Sequence, residues 1–409
     1  MNRDVRIEMP CEAEWIIKKI RERGFEAFAV GGCVRDTLLG RTPGDWDITT
    51  SAKPEEVKEI FGKTVDTGLQ HGTVTIIKNR KGYEVTTYRI DGEYRDGRHP
   101  DSVEFTSSLL EDLKRRDFTI NAMAYSHETG IVDAFDGMGD LEKKVIRCVG
   151  CPRDRFTEDA LRILRAIRFA AQLGFSIEGE TYGAIREIAP NLKNVSKERI
   201  QVELTKLLTS AHPEKIAMVE DTGISPYVTG DFPLVFQTER ERMAGGTSGP
   251  EPFSCLALLP PEKSMRWAGF LRHMEPDMVR RILKGLKLDN ETVDNGKAMA
   301  GAAQAPLGPE KPGIRRFLSR MTPYQFDGCL RLKVLDKDPQ TEEIRRLWEE
   351  IERDGDCVSL KELAVGGGDL LAAGMEGKEI GETLRRLLEL VLEDPSLNRR
   401  ELLLEKLRG

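Results

Sequence analysis

Hydrophobic residues are grouped differently in the two halves of the chain. Before about Cys148, short apolar or β-branched runs alternate with polar connections, and residues 54–61 have helical spacing. The runs that predict strands are residues 28–30, 46–50, 73–78 and 83–89. After Asp154 the apolar positions recur with the period of a helix and continue to do so. The pattern therefore predicts a small α+β unit followed by an all-α remainder.

Residues 158–171 are predicted to form one helix with two contrasting sides. Thr157, followed by two acids, is typical of a helix start, and Gly174 is typical of a stop. The apolar side, predicted to lie in the core, consists of Ala160, Ile163, Leu164, Ile167, Ala170 and Ala171. The opposite side, which begins next to Asp159, carries Arg162, Arg165 and Arg168. Arginines on such a side are either functional or simply solvated, and the pattern leaves both readings open for Arg168.

Two glycines follow the first predicted strand. Gly31 and Gly32 come directly after residues 28–30, where a backbone without side chains lets N–H groups approach an anion. A helix predicted to start near Val34 would point its positive end at the same place. Arg35 adds a cation suited to phosphate oxygens. The combination predicts a phosphate-binding turn.

Two acids follow at close spacing. Asp45 and Asp47 lie two residues apart in a predicted strand, so both carboxylates face the same side. A calcium loop starting at Asp45 is excluded, because that loop needs glycine where Thr50 stands and Pro54 lies inside it. Paired carboxylates beside a phosphate-binding turn indicate magnesium-assisted phosphoryl or nucleotidyl transfer, with Asp45 and Asp47 as the metal ligands.

Composition and charge add limits. The 409 residues are enough for at least two cores, and 39% hydrophobic with 32% charged residues is typical of a soluble globular protein. Seven cysteines without regular spacing favour free thiols, and the start of the chain lacks a signal-peptide core, so we expect a cytoplasmic protein. The net charge of −7 does not by itself indicate a nucleic-acid binder.

The order Gly-Gly-x-Val-Arg-Asp and then Asp-x-Asp resembles the nucleotidyltransferase head of the DNA polymerase beta superfamily. More narrowly, it is similar to the class II tRNA nucleotidyltransferases (CCA-adding enzymes) and the related bacterial poly(A) polymerases. Residues 113–122 match the second motif of that family, residues 158–168 its nucleotide-recognition helix, and residues 198–204 its closing motif. These motifs cover about half the chain, and residues 368–398 resemble the tail of the bacterial enzymes more loosely.

The resemblance implies four domains: a head at 1–148, a helical neck with nucleotide recognition at 149–209, a body at 210–305 and a tRNA-binding tail at 306–409. Glycine-rich and proline-rich stretches at 244–250 and 305–312 fit breaks in the helical part. Residues 384–392 are strongly apolar with charged flanks, which predicts a core helix of the tail.

The resemblance also assigns roles to individual residues. Gly32 and Arg35 hold the triphosphate. Arg116 contacts the phosphates or sugar, and Asp117 recognises the ribose hydroxyl, although an Arg-Arg-Asp run is also typical of a charged helix end. Glu84 is a candidate third catalytic acid, with a buried pairing or an edge position equally open.

Asp159 and Arg162 are the expected base readers, on the helix that also carries Arg165 and Arg168. A carboxylate accepts from the exocyclic amine of cytosine or adenine, and a guanidinium donates to the adjacent ring nitrogen. Guanine and uracil carry a carbonyl and an N–H at these two places, so the donor and the acceptor are exchanged. The pair is therefore expected to accept CTP and ATP and to reject GTP and UTP. No template strand is then needed.

The expected activity is Mg²⁺-dependent addition of C, C and A to the tRNA 3′ end, by a monomer or homodimer that binds no membrane. The open alternatives are an A-adding enzyme that works with a CC-adding partner and a bacterial poly(A) polymerase. Residues 90–101 are rich in glycine and charge and predict a mobile loop. In the family this loop is shortened in enzymes that add only the two C residues, so its presence argues against a CC-only enzyme.

Overall fold

The computed structural model of the protein describes residues 6–69, 72–92, 103–245 and 253–407. The chain forms two compact units, residues 1–233 and 234–409. The predicted loop at 90–101 falls mostly outside the described residues, as does the stretch from 246 to 250. The domain boundaries predicted at 148, 209 and 305 remain predictions.

The first part of the first unit is an α+β arrangement, as the sequence pattern predicts. Its strands are β1 Ala27–Val30, β2 Ile48–Thr50, β3 Thr64–Gly68, β4 Thr73–Lys78, β5 Lys81–Thr87, β6 Arg89–Asp91, β7 Val103–Phe105, β8 Met123–Ser126, β9 Gly130–Asp133 and β10 Val145–Ile146. Its helices are α1 Cys11–Arg21, α2 Gly32–Leu38, α3 Pro54–Ile60, α4 Leu109–Lys114 and α5 Gly137–Lys143.

The strands form a seven-stranded sheet in the order β3-β4-β5-β2-β1-β8-β9 within the described residues. All its neighbours are antiparallel except β2 and β5, which run parallel. The two central strands, β1 and β2, are buried on every residue, which explains their unbroken apolar and threonine composition. A separate hairpin joins β6 to β7.

The rest of the first unit is nearly all helical. Its helices are α6 Pro152–Glu158, α7 Leu161–Leu173, α8 Gly179–Ile188, α9 Lys197–Leu208, α10 Ala217–Asp221 and α11 Ser225–Val228. One short strand, β11 Ser176–Ile177, pairs in parallel with β10 and so ties this helical part to the sheet-containing part. Gly174 ends α7 in the left-handed conformation with φ 71°, as predicted.

The helix predicted at 158–171 is in fact two helices. Thr157 is the penultimate residue of α6, where its hydroxyl donates to the Arg153 carbonyl at 2.8 Å, and it does not start a helix. Asp159 is extended, with φ −142° and ψ 101°, and α7 begins at Leu161. The predicted core side of α7 is confirmed, because all six predicted apolar positions are buried.

The second unit is helical throughout its described residues. Its helices are α12 Phe232–Ala244, which begins at the boundary, α13 Lys263–Phe270, α14 Pro276–Gly285, α15 Asn290–Gln304, α16 Lys311–Leu318, α17 Pro323–Leu335, α18 Thr341–Asp354, α19 Gly367–Ala372, α20 Lys378–Glu393 and α21 Arg400–Glu405. The predicted core helix at 384–392 lies within α20, where Leu387, Val391 and Leu392 are fully buried. Across the described residues, no helix combines the length and apolarity needed to cross a membrane. All seven cysteines are free thiols, as predicted.

Candidate active site

The turn between β1 and α2 has a conformation that requires glycine. Gly31 has a φ of 81°, and a Cβ added to it would stand only 3.0 Å from Nη1 of Arg116. Its N–H donates to the Met123 carbonyl at 3.1 Å, which fixes the turn against β8. The helix begins at Gly32, two residues earlier than predicted, because Gly31 already ends the strand. The turn therefore brings backbone and the Arg116 guanidinium together.

The two acids lie just before β2, not inside it as predicted. The Val30 N–H donates to the Asp47 carbonyl at 3.0 Å, so the segment continues the pairing with β1 without being a regular strand. Asp45 and Asp47 are exposed, whereas Trp46 between them is buried. This alternation is that of an extended chain, and it puts both carboxylates on the same side, as the spacing predicts.

Glu84 lies on the strand next to these acids. β5 runs parallel to β2 with Ile48 opposite Val85, so Glu84 is one step away beside Asp47, and its side chain is exposed. The surrounding protein displaces water from the Asp47 carboxylate and so raises its pKa although solvent reaches the side chain, and the Glu84 and Asp45 charges raise it further against the opposing charge of Arg116. Crowded carboxylates of this kind are stabilised by a cation.

The donor set fits a magnesium ion that is shared with a substrate. Among the described residues, no three His, Cys, Asp or Glu side chains converge tightly enough to hold a metal by themselves. Mg²⁺ is usually bound through one or two carboxylates together with substrate phosphates and water, and not by a complete protein cage. Asp45 and Asp47 offer such exposed oxygen ligands beside the glycine turn.

Arg116 has an incomplete set of partners. Its Nη2 lies 3.5 Å from Oδ2 of Asp112, and its buried Nε has no hydrogen-bond partner. Burial lowers the pKa of this guanidinium. An unsatisfied buried donor costs roughly 1–3 kcal/mol, which a bound acceptor would recover. The Nη1 of the same guanidinium is the atom that lies beside Gly31.

Arg35 is engaged within the protein. Its Nε and Nη2 donate to the two carboxylate oxygens of Asp36, each at 2.9 Å, and its Nη1 donates to Oδ1 of Asn121 at 2.6 Å. The side chain is buried, and its guanidinium carbon lies 5.0 Å from the centre of the Phe169 ring. The structure gives Arg35 a packing role, and its contact with phosphate stays a prediction.

Asp117 is the best-satisfied acid of the site. Arg165 donates to its Oδ2 through Nε at 2.9 Å and Nη2 at 2.6 Å. Its Oδ1 accepts from the amide nitrogen of Asn121 at 3.1 Å and from the Phe118 N–H at 2.9 Å. Since Asn121 also bonds Arg35, a continuous polar chain runs from α2 to α7. Arg115 and Arg116 follow the end of α4 and pair with its Asp112, as the charged-helix-end reading expects, but the Asp117 carboxylate is buried and bonded instead of solvated.

Asp159 lies at the junction between α6 and α7 and not on a continuous helix. Its Oδ1 accepts from the Leu161 N–H at 3.0 Å, so it caps α7, and its Oδ2 accepts from Arg199 at 2.7 Å. Arg162 donates to Glu158 at 2.6 Å and to the Arg115 carbonyl at 3.2 Å. Of the two predicted base readers, Asp159 therefore lies in the helix break and Arg162 is the second residue of α7, each held by a partner.

Arg168 is buried, so the reading that left it in solvent is wrong. Its Nε donates to Glu203 on α9 at 2.5 Å, and its Nη1 donates to Gln172 at 2.7 Å. Its guanidinium carbon lies 3.8 Å from the centre of the Phe169 ring. Helical periodicity puts Arg168 on the side of α7 opposite its apolar side. Helix α9 packs over this polar side and supplies Glu203, the acid that pairs with Arg168.

Several residues of the site carry no signal in the sequence pattern. Phe169 reads as an ordinary core position, yet the guanidinium groups of Arg35, Arg165 and Arg168 all lie within 5.4 Å of its ring centre. Asn121 is a polar residue in an apolar run, which could have singled it out as a buried hydrogen-bonding group. Arg199 and Glu203 belong to the closing motif at 198–204, but their pairing with Asp159 and Arg168 follows only from the fold.

The buried Asp117 carboxylate should make the free energy of unfolding of the protein decrease at acid pH. Burial opposes its ionisation, but the charge of Arg165 and the bond from Asn121 hold its pKa well below the usual value. A lowered folded-state pKa gives stability that is present above the unfolded value of about 4 and is lost as the pH falls toward the folded value. We expect the difference in urea midpoint between the protein and Asp117→Asn to be large at pH 7 and to shrink between about pH 4 and pH 3. A constant difference across this range would contradict the assignment.

The comparisons with known proteins cover nearly the whole chain. Three family models match: the poly(A) polymerase head domain at 27–147, the RNA- and SrmB-binding site of polymerase A at 174–232, and tRNA nucleotidyltransferase domain 2 at 260–407. The chain is 37% identical to the CCA-adding enzyme of Geobacillus kaustophilus, over 95% of this chain and 94% of that enzyme. It is also 56% identical to the Leuconostoc mesenteroides CCA-adding enzyme, but over only 48% of this chain and 49% of that enzyme.

A solved structure agrees with these relatives. The crystal structure of the Bacillus stearothermophilus CCA-adding enzyme in complex with CTP superposes with a TM-score of 0.81 and 33% identity, over 98% of both chains. The predicted fold class, an α+β nucleotidyltransferase head followed by helical parts, is confirmed by this match and by the head-domain model. Two relatives and one structure thus agree with the family that the motifs indicate. The chain belongs to the CCA-adding enzyme family and is a nucleotidyltransferase.

Proposed function

We propose that this nucleotidyltransferase adds C, C and A to the 3′ end of tRNA in the cytoplasm, from CTP and ATP, without a template and with release of pyrophosphate. The observation that carries the proposal is the arrangement of Asp45 and Asp47 beside the Gly31 turn and the incompletely bonded Arg116. This is a two-acid and phosphate-binding arrangement, in a chain that matches CCA-adding enzymes along nearly its whole length.

The residues divide the work as follows. Asp45 and Asp47, with Glu84 beside them, would hold Mg²⁺, which when bound supplies activation of the tRNA 3′-hydroxyl and stabilisation of the pyrophosphate charge. The Gly31–Gly32 backbone and Arg116 bind the triphosphate oxygens and set the α-phosphate in line with the hydroxyl.

Base selection belongs to Asp159 and Arg162. A carboxylate has about four lone-pair sites, and two of those on Asp159 are used by Leu161 and Arg199. The remaining acceptor capacity suits the exocyclic amine of cytosine or adenine, which is why the same residue serves both nucleotides. Arg199, on the separate helix α9, donates to one oxygen of Asp159 and thereby restricts the orientation of the carboxylate.

A two-step assay tests the activity. The purified protein is given Mg²⁺ and tRNA that lacks the CCA end with CTP alone, and then tRNA that ends in CC with ATP alone. Incorporation in both reactions supports the proposal. Incorporation of ATP only would show an A-adding enzyme, and growth of a long A tail would show a poly(A) polymerase.

Asp159→Asn should relax base selection. The variant keeps an oxygen that can cap Leu161 but replaces part of the acceptor surface with an amide donor. We expect the preference for CTP over UTP in kcat/KM to fall by about 10- to 100-fold, the size of one base-edge contact. Asp154→Asn, an exposed acid in the first turn of α6, is the matched control and should keep the preference. An unchanged preference in Asp159→Asn would assign base reading to another residue.

A further inference from the structure

Asp112 is a fully buried carboxylate next to the site, and the proposed chemistry gives it no task. It lies on α4, with its side chain 0% exposed. An isolated charge is expensive to bury, so its partners explain its presence. Arg115 donates to Oδ1 through Nε at 3.0 Å and Nη2 at 2.8 Å, and the Arg89 N–H lies 3.4 Å from the same oxygen.

The second oxygen of Asp112 joins two parts of the site. Its Oδ2 accepts from the Thr49 hydroxyl at 3.1 Å and from Nη2 of Arg116 at 3.5 Å. Thr49 is on β2, two residues after Asp47, and Arg116 reaches the Gly31 turn. One carboxylate oxygen therefore links the strand that follows the metal-binding acids to the guanidinium beside the phosphate turn.

This link determines where Arg116 points. Nη2 is directed to Asp112, Nη1 stands 3.0 Å from the position of a Gly31 Cβ, and Nε has no partner. A long arginine side chain without such an anchor loses several rotamers when it binds a ligand, and that ordering weakens binding. An anchored guanidinium already holds its Nη1 beside the turn.

We infer that Asp112 is a positioning residue for the triphosphate: it touches no substrate, but with Thr49 it holds the Arg116 guanidinium at the Gly31 turn. This inference rests on the proposed function, since it takes the ligand of that turn to be a nucleoside triphosphate. Simple electrostatics predicts the opposite effect, because removing a negative charge near a phosphate site should strengthen anion binding. Weaker CTP binding after removal of the Asp112 charge would therefore indicate a positioning role, and stronger binding would indicate a purely electrostatic one.

The test is direct binding of CTP and of CMP, with Mg²⁺ and without tRNA, measured by calorimetry. Asp112→Asn is expected to weaken CTP binding by about tenfold or more, the worth of a charge-assisted hydrogen bond, and to change CMP binding by less than about threefold. The matched control is Asp140→Asn, since Asp140 is also buried and bonded by a threonine and an arginine, Thr119 and Arg147, and it should leave both affinities unchanged.

A double variant checks that Asp112 acts through Arg116. Asp112→Asn combined with Arg116→Gln should bind CTP no more than about twofold worse than Arg116→Gln alone, because the anchor has nothing left to hold. If Asp112→Asn does not fold, Thr49→Val removes the other bond to the same oxygen at similar volume and should weaken CTP binding severalfold while sparing CMP.

The outcomes are distinct. Equal losses for CTP and CMP, stronger CTP binding, or additive effects in the double variant would each overturn the inference while CTP binding by the unaltered protein still supports the proposed function. No binding of CTP by the unaltered protein would overturn both.

Discussion

Asp45→Ala and Asp47→Ala are each expected to lower the turnover of nucleotide addition by about a thousandfold or more, equivalent to roughly 4 kcal/mol of transition-state stabilisation. The two carboxylates face the same side beside the Gly31 turn, and the pKa of Asp47 is raised by loss of hydration and by the charge of Glu84. Removing either one takes away one of the two carboxylates proposed to hold the metal ion where charge develops. The measurement is single-turnover incorporation of labelled CTP into tRNA at saturating Mg²⁺.

Two controls accompany these variants. Asp66→Ala removes an exposed acid of the same sheet, on β3, where it pairs with Lys58 at 2.9 Å, and turnover should stay within about twofold. The melting temperatures of both site variants should match the parent, because exposed acids contribute little to stability. Near-normal turnover in Asp45→Ala or Asp47→Ala would remove these acids from the metal site.

Arg165→Ala should destabilise the protein by about 3 kcal/mol, among the largest losses expected from a single residue outside the apolar core. The substitution leaves the Asp117 carboxylate buried with Asn121 and a backbone N–H as its remaining partners. Arg165 is itself one-third exposed, so the loss belongs at the lower end of the range for a broken buried pair. Urea unfolding followed by circular dichroism at pH 7 measures it.

A surface pair and a double variant identify the cause of that loss. Arg153→Ala breaks an ion pair with Glu187 in which both side chains are about half exposed or more, and it should cost less than about 0.5 kcal/mol. The double variant Asp117→Asn with Arg165→Gln should be more stable than Arg165→Ala alone, because no unpaired charge is left buried. If the double variant is less stable than the single one, the charge of Asp117 is not the reason for the loss.

Local rules predicted the parts of the site that depend on neighbouring residues. The glycines at 31 and 32 marked a turn because only a residue without a side chain tolerates the φ of Gly31 so close to Arg116. Two-residue spacing put Asp45 and Asp47 on one side even though their segment is not a regular strand. Apolar periodicity likewise gave the buried side of α7 correctly.

The rest depended on contacts between residues far apart in the chain. Helical periodicity predicted one continuous helix through Asp159. The bonds of Asp159 to Leu161 and to Arg199 favour an extended backbone at this residue, so the helix breaks there. Periodicity also left open a solvated Arg168, whereas Glu203 on α9 pairs with it in the interior. A single helix considered by itself contains no information about which neighbour covers its polar side.

The break between α6 and α7 bears on the accuracy of nucleotide addition. A polymerase with a template compares each incoming base with a partner strand, but under the proposed function the acceptor for the base edge would be one carboxylate, Asp159, which Arg199 on a separate helix bonds. A movement of α9 would change the direction of that carboxylate. Misincorporation is therefore expected to increase on mild heating, before the helices melt.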